Sequence, residues 1–594
     1  MGCFDVAMRQ TAHSITKTRG SKEGFMASDD LLADLPFRRV REQSLWIGTT
    51  ERPLFARLTV PASDSSRGGV LLSTSIFRDA RASRRALRLL AATLADDGFI
   101  VLRFDQFGVG DSSGDLNDDE FLDVWKEQIG QGVELLRSLG AESVSAVGFR
   151  LGATILAAAS IERSLDLTSV VLWDPCESGR SYLREMNAFE TLRRASHDTT
   201  STIATSEFVL NDQASEVIRS LSLLEATPKQ LAPQVLIITR DDRPVSTRMK
   251  SHFDDDSVEW AETSEQSKVL EVELPSSVLP MVAISQIRQW IGSSLAPISP
   301  LRLIDAKTTA TIGRGEGPMS IRETVLTVAP RGIFAIVCEP VEGASGPWIV
   351  MVPGINEDHV GPARSWVNMS RRWASYGLRC VRFDFEGLGE SAWLPAESDR
   401  KQAAKAQLES IRSVVMAVSV DDPSNTVFVG LCTGAQKSLE SAVRLASRGV
   451  CTINPQVGRS IQQATDRMVT GNAGIFTSVM TRMKKYVERH EWMGQIVWQA
   501  ARVFFPSAYS LKVRKDLADN GTEMLLIVSP DDFNPFPHVP IVRSLDKRRL
   551  ITTALCRIEI VPGLDHDFFN IAGRTRATEI LDAYVHEKFV TTTS

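Results

Sequence analysis

Four landmarks recur in the same order in the two halves of the 594-residue chain, and a repeat of that kind restricts the fold more than any single motif. GFIVLRFDQFGVGDSSG at 98–114 matches GLRCVRFDFEGLGESAW at 377–393, which sets Asp105 opposite Asp384, 279 residues on. SAVGFRLGA matches VFVGLCTGA, with Gly148 and Gly430 282 apart. SVVLWDP matches GVCTINP, with Asp174 and Asn454 280 apart; VLIITRDDRP matches LLIVSPDDFN, with Asp242 and Asp532 290 apart. The near-constant offset implies a tandem duplication, with about ten residues inserted late in the second copy.

Within each copy, short β-branched runs alternate with longer helical patterns, the arrangement of parallel strands joined by crossover helices. Strands are expected at LFARLTVP, GVLLSTS, FIVLRFD, VSAVG, VVLWDP and VLIITR, and again at WIVMVPG, LRCVRFD, TVFVG, CTINP, LLIVS and CRIEIVPG. RSWVNMSRRWASY carries Trp366, Met369 and Trp373 at helical spacing. Pro, Ser and Gly cluster in GSSLAPISPLRL, so the boundary falls there, giving copies at 34–297 and 298–594 after a disordered tail at 1–33. Met26 is an alternative start. Segments 177–230 and 456–517 are too long for simple crossovers. The second, which contains HEWMGQIVWQAARVFF, reads as a helical lid over an apolar pocket or as an excursion that covers the sheet.

Gly430-Leu431-Cys432-Thr433-Gly434 lies between a strand and a helical run. In that context a G-x-nucleophile-x-G turn lifts its middle side chain above the sheet at a helix N-terminus, which favours a thiolate. On these residues the chain resembles the α/β-hydrolase superfamily in two tandem copies, and is similar to serine hydrolases that carry an LRFD-x-x-G-x-G-(D/E)-S stretch. The Cys at the elbow also resembles dienelactone hydrolases and polyhydroxyalkanoate synthases. The resemblance implies an α/β fold with a mostly parallel sheet per copy, flanked by helices and carrying a helical lid. It also implies a triad in the order Cys432, Asp532, His566, with Asp531 the rival acid. The implied oxyanion donors are the amides of Thr433 and of Ile355, the latter after Pro353-Gly354 where many relatives have His-Gly. His359, in the same loop, reads as a solvated histidine or as a group that orients substrate.

The first copy departs from this pattern. Its elbow is Gly148-Phe149-Arg150-Leu151-Gly152, and a guanidinium is not a nucleophile. Leu279 stands opposite His566, and Thr74-Ser75 replaces Pro353-Gly354. Asp242 remains, and a salt bridge from Arg150 to Asp242 or to an anionic ligand is expected. The first copy is therefore expected to be non-catalytic.

Lys+Arg 67 against Asp+Glu 73, spread along the chain, gives no basic patch for nucleic acid, and no apolar run is long enough to span a membrane or mark a signal peptide. Cytoplasm is the expected location. Seven scattered cysteines fit neither disulfides nor zinc, so Cys176, Cys338, Cys380, Cys451 and Cys556 read as packing; Cys3 lacks the context for lipidation. Trp366, Trp373, Trp393, Trp492 and Trp498 line a pocket or pack a core. No cofactor or metal is called for. The expected activity is that of an acyl-ester or acyl-thioester hydrolase or acyltransferase acting on a small-molecule or carrier-bound acyl substrate. The alternative is a scaffold or binding protein built from two degenerate copies. The sequence leaves oligomeric state open.

Overall fold

The computed structural model describes residues 37–590 apart from 38, 194–208, 272–276, 294–297, 303, 315–316, 355–356, 395–396, 456–512, 514–515, 531–555 and 567. The expected tail at 1–33 and nearly all of the expected lid at 456–517 lie outside these residues.

The β-rich runs form two large sheets. The first comprises β1 (Val40–Gly48), β2 (Pro53–Pro61), β3 (Gly69–Ser73), β4 (Ile100–Phe104), β5 (Val144–Phe149), β6 (Ser169–Trp173), β7 (Val235–Arg240) and β8 (Val258–Thr263), in the order β1-β2-β4-β3-β5-β6-β7-β8. The second comprises β9 (Thr309–Arg314), β10 (Ser320–Val328), β11 (Ile333–Pro340), β12 (Trp348–Val352), β13 (Arg379–Phe383), β14 (Thr426–Leu431), β15 (Gly449–Ile453), β16 (Glu523–Val528) and β17 (Cys556–Ile560). Its order is β9-β10-β11-β13-β12-β14-β15-β16-β17, the first order with one edge strand added. In the first sheet β1-β2 and β2-β4 pair antiparallel, in the second β9-β10, β10-β11 and β11-β13 do, and the remaining pairs are parallel. The chain is thus two tandem α/β domains, each a mostly parallel sheet flanked by helices, the fold class expected. All twelve expected strands are present. Sequence reading passed over β1 and β8, which are polar edges, and over β9 to β11, the last of them the counterpart of the expected strand LFARLTVP.

The crossovers that matter for the site are α1 (Phe77–Asp96), α2 (Phe121–Ser138), α3 (Leu151–Glu162), α4 (Gly179–Arg193), α5 (Met281–Gly292), α6 (Ser365–Ser375), α7 (Gln407–Val418), α8 (Cys432–Leu445) and α9 (Ile571–Phe589). They cover both faces of each sheet, which explains why the parallel strands read as unbroken apolar runs. One face of the second sheet packs Ile349, Met351, Val427 and Val429 against Trp366, Met369 and Trp373 of α6 and Leu581 and Tyr584 of α9. Trp366 and Trp373 are therefore core residues, though Trp373 also borders a surface cavity with Tyr376 and His586. Trp492 and Trp498 lie outside the described residues. Cys176, Cys338, Cys380, Cys451 and Cys556 are buried, as expected of packing residues. No helix among the described residues is long and apolar enough to cross a membrane.

After the first copy the chain does not leave at once, because Ser299–Pro300 pairs with Ser65–Ser66 and the Arg302 N–H donates to Leu139 O. The two copies then meet along the strands that precede their elbows. Trp46 and Phe55 of the first sheet share one apolar cluster with Ala310, Val325, Phe334 and Ile336 of the second.

Candidate active site

Both elbows are built alike. Gly430 and Gly434 bring β14 and α8 into contact: a Cβ on Gly434 would lie 2.5 Å from Val352 O and 2.7 Å from Pro353 O, so only glycine lets the helix start pack on the end of β12. The turn forces Cys432 into a positive φ of 54°, a conformation costly for a side chain with Cβ and retained at functional elbows. Arg150 has the same φ of 54° in the first copy. The same strained turn thus holds a thiol in one copy and a guanidinium in the other.

Cys432 stands at the N-terminus of α8, half-buried, and its Sγ lies 3.2 Å from His566 Nε2. His566 follows β17 in the turn before α9. The two sequence-nominated groups, 134 residues apart, are therefore in hydrogen-bond contact. The amide of Thr433 sits in the first turn of α8, where N–H groups point out of the helix end. Ile355, Asp531 and Asp532 lie outside the described residues.

One member of the site escaped sequence reading. Asn454, buried at the end of β15, donates from Nδ2 to the carbonyls of Asp565 (2.8 Å) and His566 (3.1 Å) and accepts from the Ser529 N–H (2.7 Å) through Oδ1. It ties the turn that bears His566 to the ends of β15 and β16. The residue was visible as a landmark of the repeat, but nothing in its spacing reveals which carbonyls it meets.

At the first elbow the expected partner of Arg150 is corrected. Arg150 Nε donates to Asp79 (2.9 Å) and its NH2 group to Glu185 of α4 (2.7 Å), and Asp174 lies 3.5 Å away. Asp242 is bound instead by Arg240, two residues before it, through two 2.7 Å hydrogen bonds. A bidentate partner on the same strand end wins over one across the site. Burial pushes Asp79 upward and takes Asp174 to about 6, while the Arg150 charge opposes both. Leu279 packs partly buried in the core below α5, far in character from a base. The place of a nucleophile in this copy is filled by one cation and three carboxylates.

His359 is also corrected, because it is fully buried and not solvated. Its Nδ1 lies 2.9 Å from Asp384 Oδ2, its Nε2 2.6 Å from Asp111 Oδ2, and its backbone N–H donates to Asp384 Oδ1 at 2.7 Å. A loop histidine looked exposed because its second carboxylate comes from the other copy.

No protein-family model and no curated protein matches the sequence. Among solved structures, Est1E from Butyrivibrio proteoclasticus is 15% identical over 42% of this chain and 97% of its own, with a TM-score of 0.32. A proline iminopeptidase of Mycobacterium smegmatis is 14% identical over 42% and 97%, with a TM-score of 0.31. One of two fungal esterases from Rhizomucor miehei is 17% identical over 45% and 88%, also at 0.31.

Proposed function

We propose that the second copy is an acyl-ester or acyl-thioester hydrolase or acyltransferase working through a cysteinyl thioester on Cys432. The observation that carries this reading is the 3.2 Å approach of Cys432 Sγ to His566 Nε2 at a strained strand-to-helix elbow. His566 takes the thiol proton, and Sγ attacks the acyl carbonyl carbon. The oxyanion forms opposite the Thr433 amide, with Ile355 the second donor by the family pattern. The tetrahedral species collapses, the C–O or C–S bond to the leaving group breaks, and His566 returns the proton to it. Water or another acceptor then attacks the thioester, gives its proton to His566, and frees Cys432. Asp532 is assigned to hold the imidazole tautomer. The first copy is assigned no chemistry, which the ion-paired Arg150 supports.

The test is intact-mass detection of an acyl adduct after incubation with a panel of acyl thioesters and esters, together with turnover of Cys432→Ala. Loss of a nucleophile costs several orders of magnitude. An adduct absent from every member of the panel, or an alanine variant that keeps more than about a tenth of the rate, would point instead to a binding or scaffold protein or to another centre.

A further inference from the structure

The surface between the copies is reciprocal. Arg103 of the first copy reaches Glu390 of the second at 3.0 Å, and their counterparts Arg382 and Asp111 meet at 3.0 Å. Within each copy the same bond holds the loop that faces the other: the Phe55 N–H donates to Ser112 Oγ (3.0 Å), and the Phe334 N–H to Ser391 Oγ (2.8 Å). Arg88 of α1 donates to the carbonyls of Gly389 and Ser391, while Arg364, immediately before α6, donates to those of Gly110, Ser112 and Gly114. Each copy thus grips the G-x-G-(D/E)-S loop of the other, as in an isologous dimer.

His359 breaks this symmetry. At an offset of 279 residues its counterpart is Ala80, so the imidazole exists only on the side that carries Cys432. His359 lies in the segment that begins at Pro353-Gly354, against the elbow, where the Gly354 N–H donates to Glu357, and that leads into α6. Acidic side chains face the His359 ring at both nitrogens, Asp384 at Nδ1 and Asp111 at Nε2, an arrangement that favours a ring carrying both protons and a positive charge. Burial alone would lower the affinity of His359 for its second proton, but Asp111 and Asp384 outweigh it and hold the imidazolium well above the ordinary histidine range.

We propose that Asp111 of the first copy is a positioning residue for the reaction at Cys432, acting through His359 on the loop that leaves β12 beside the elbow. This rests on the acyl-transfer reading above. The carboxylate does not touch substrate. It holds His359 in a segment whose start abuts α8, so the non-catalytic copy completes the geometry of the catalytic one.

The experiment uses the full chain carrying Asp111→Asn, with three readouts: kcat and KM for an acyl ester that the wild type turns over, the rate of Cys432 alkylation by iodoacetamide, and the ring 15N shifts of His359. Alkylation reports the Cys432–His566 pair and needs no oxyanion stabilisation. The expected result is a kcat at least about tenfold lower, KM within about threefold, alkylation at the wild-type rate, and His359 no longer doubly protonated at pH 8. Wild-type kcat in a folded variant whose His359 has lost its second proton overturns the proposal, as does a variant in which alkylation falls in step with kcat. Should Asp111→Asn not fold, Asp111→Glu keeps the charge and moves the carboxylate by one methylene. A tenfold lower kcat at unchanged alkylation then supports the proposal, and wild-type kcat overturns it. A wild-type chain in which iodoacetamide does not label Cys432 would instead sink the acyl-transfer reading itself.

Discussion

Phe55 and Phe334, equivalent residues 279 positions apart, lie against each other with ring centroids 5.8 Å apart at the centre of the seam between the copies. Contact between equivalent residues is what a twofold relation requires, and the charged pairs are arranged about this point. Glu390, nearly fully buried, accepts from Arg103 and faces Arg57 (3.0 Å) and Arg88 (3.9 Å). Its counterpart Asp111 faces Arg382 and His359.

Glu390→Gln removes the only carboxylate that faces all three of Arg57, Arg88 and Arg103 among the described residues. Leaving buried charges uncompensated costs on the order of 3–5 kcal/mol. Urea unfolding should show a loss of that size, and a loss below about 1 kcal/mol would mean that water or rearrangement relieves the arginines.

The same seam sets the acid limit. Burial opposes ionisation of Glu390, Glu42 and Glu323, but the neighbouring arginines outweigh it and hold all three below the ordinary carboxylate range. A depressed carboxyl stabilises the fold above its unfolded value, about 4.3, and that stability is lost as pH falls through the folded value. Midpoint denaturant concentration should hold steady as pH falls toward about 5 on account of these groups and drop below about 4. In Glu390→Gln the drop should be shallower; an unchanged slope would place the acid sensitivity elsewhere.

Arg150→Ser should create no second active centre, because Leu279 stands where a base would be needed. It leaves Asp79, Asp174 and Glu185 facing one another, at a cost on the order of 3–5 kcal/mol at pH 8. Asp174 has its pKa raised to about 6, so it destabilises the fold as pH rises through that value, and more so without its cation. The loss measured by urea unfolding should therefore be smaller at pH 5 than at pH 8. Equal losses would show that packing and not charge is what Arg150 supplies.

Asn454→Leu keeps the volume and removes both donors to the turn that bears His566. Turnover should fall by about ten- to a hundredfold, the usual cost of losing an outer support of a site residue. Alkylation of Cys432 should slow with it, since the base itself is displaced; normal alkylation would detach Asn454 from the Cys432–His566 pair.

Asp532→Asn should reduce turnover far more than Asp531→Asn, because Asp532 matches Asp242 in the repeat and is the acid that the resemblance to α/β-hydrolases implies. The reverse ratio in steady-state rates would shift the alignment by one residue.

What the sequence made legible here is what local geometry enforces. An elbow needs its two glycines, and a parallel strand buried on both faces needs an apolar run. Cys432 could be nominated from its glycine-flanked turn and His566 from the resemblance to α/β-hydrolases, and they are in contact. Arg150 could be recognised as unfit for attack, but not paired. Its partner Asp79 is 71 residues away on α1, while the tempting Asp242 is taken by Arg240. The G-x-G-(D/E)-S stretches were readable as a family signature and not as a seam, since spacing along one chain carries no sign of which loop will meet which. His359 failed for the same reason: half of its environment is Asp111, 248 residues earlier.

The tether at Ser299–Pro300 has a consequence for how the two halves can differ. In a dimer of identical subunits every substitution occurs twice, and a residue useful on one side of the axis must be tolerated on the other. Joining the halves in one chain lifts that condition. An imidazole can stand at 359 while alanine stands at 80, and one elbow can be given over to arginine while its twin keeps a thiol, with the halves still assembling one to one at any dilution.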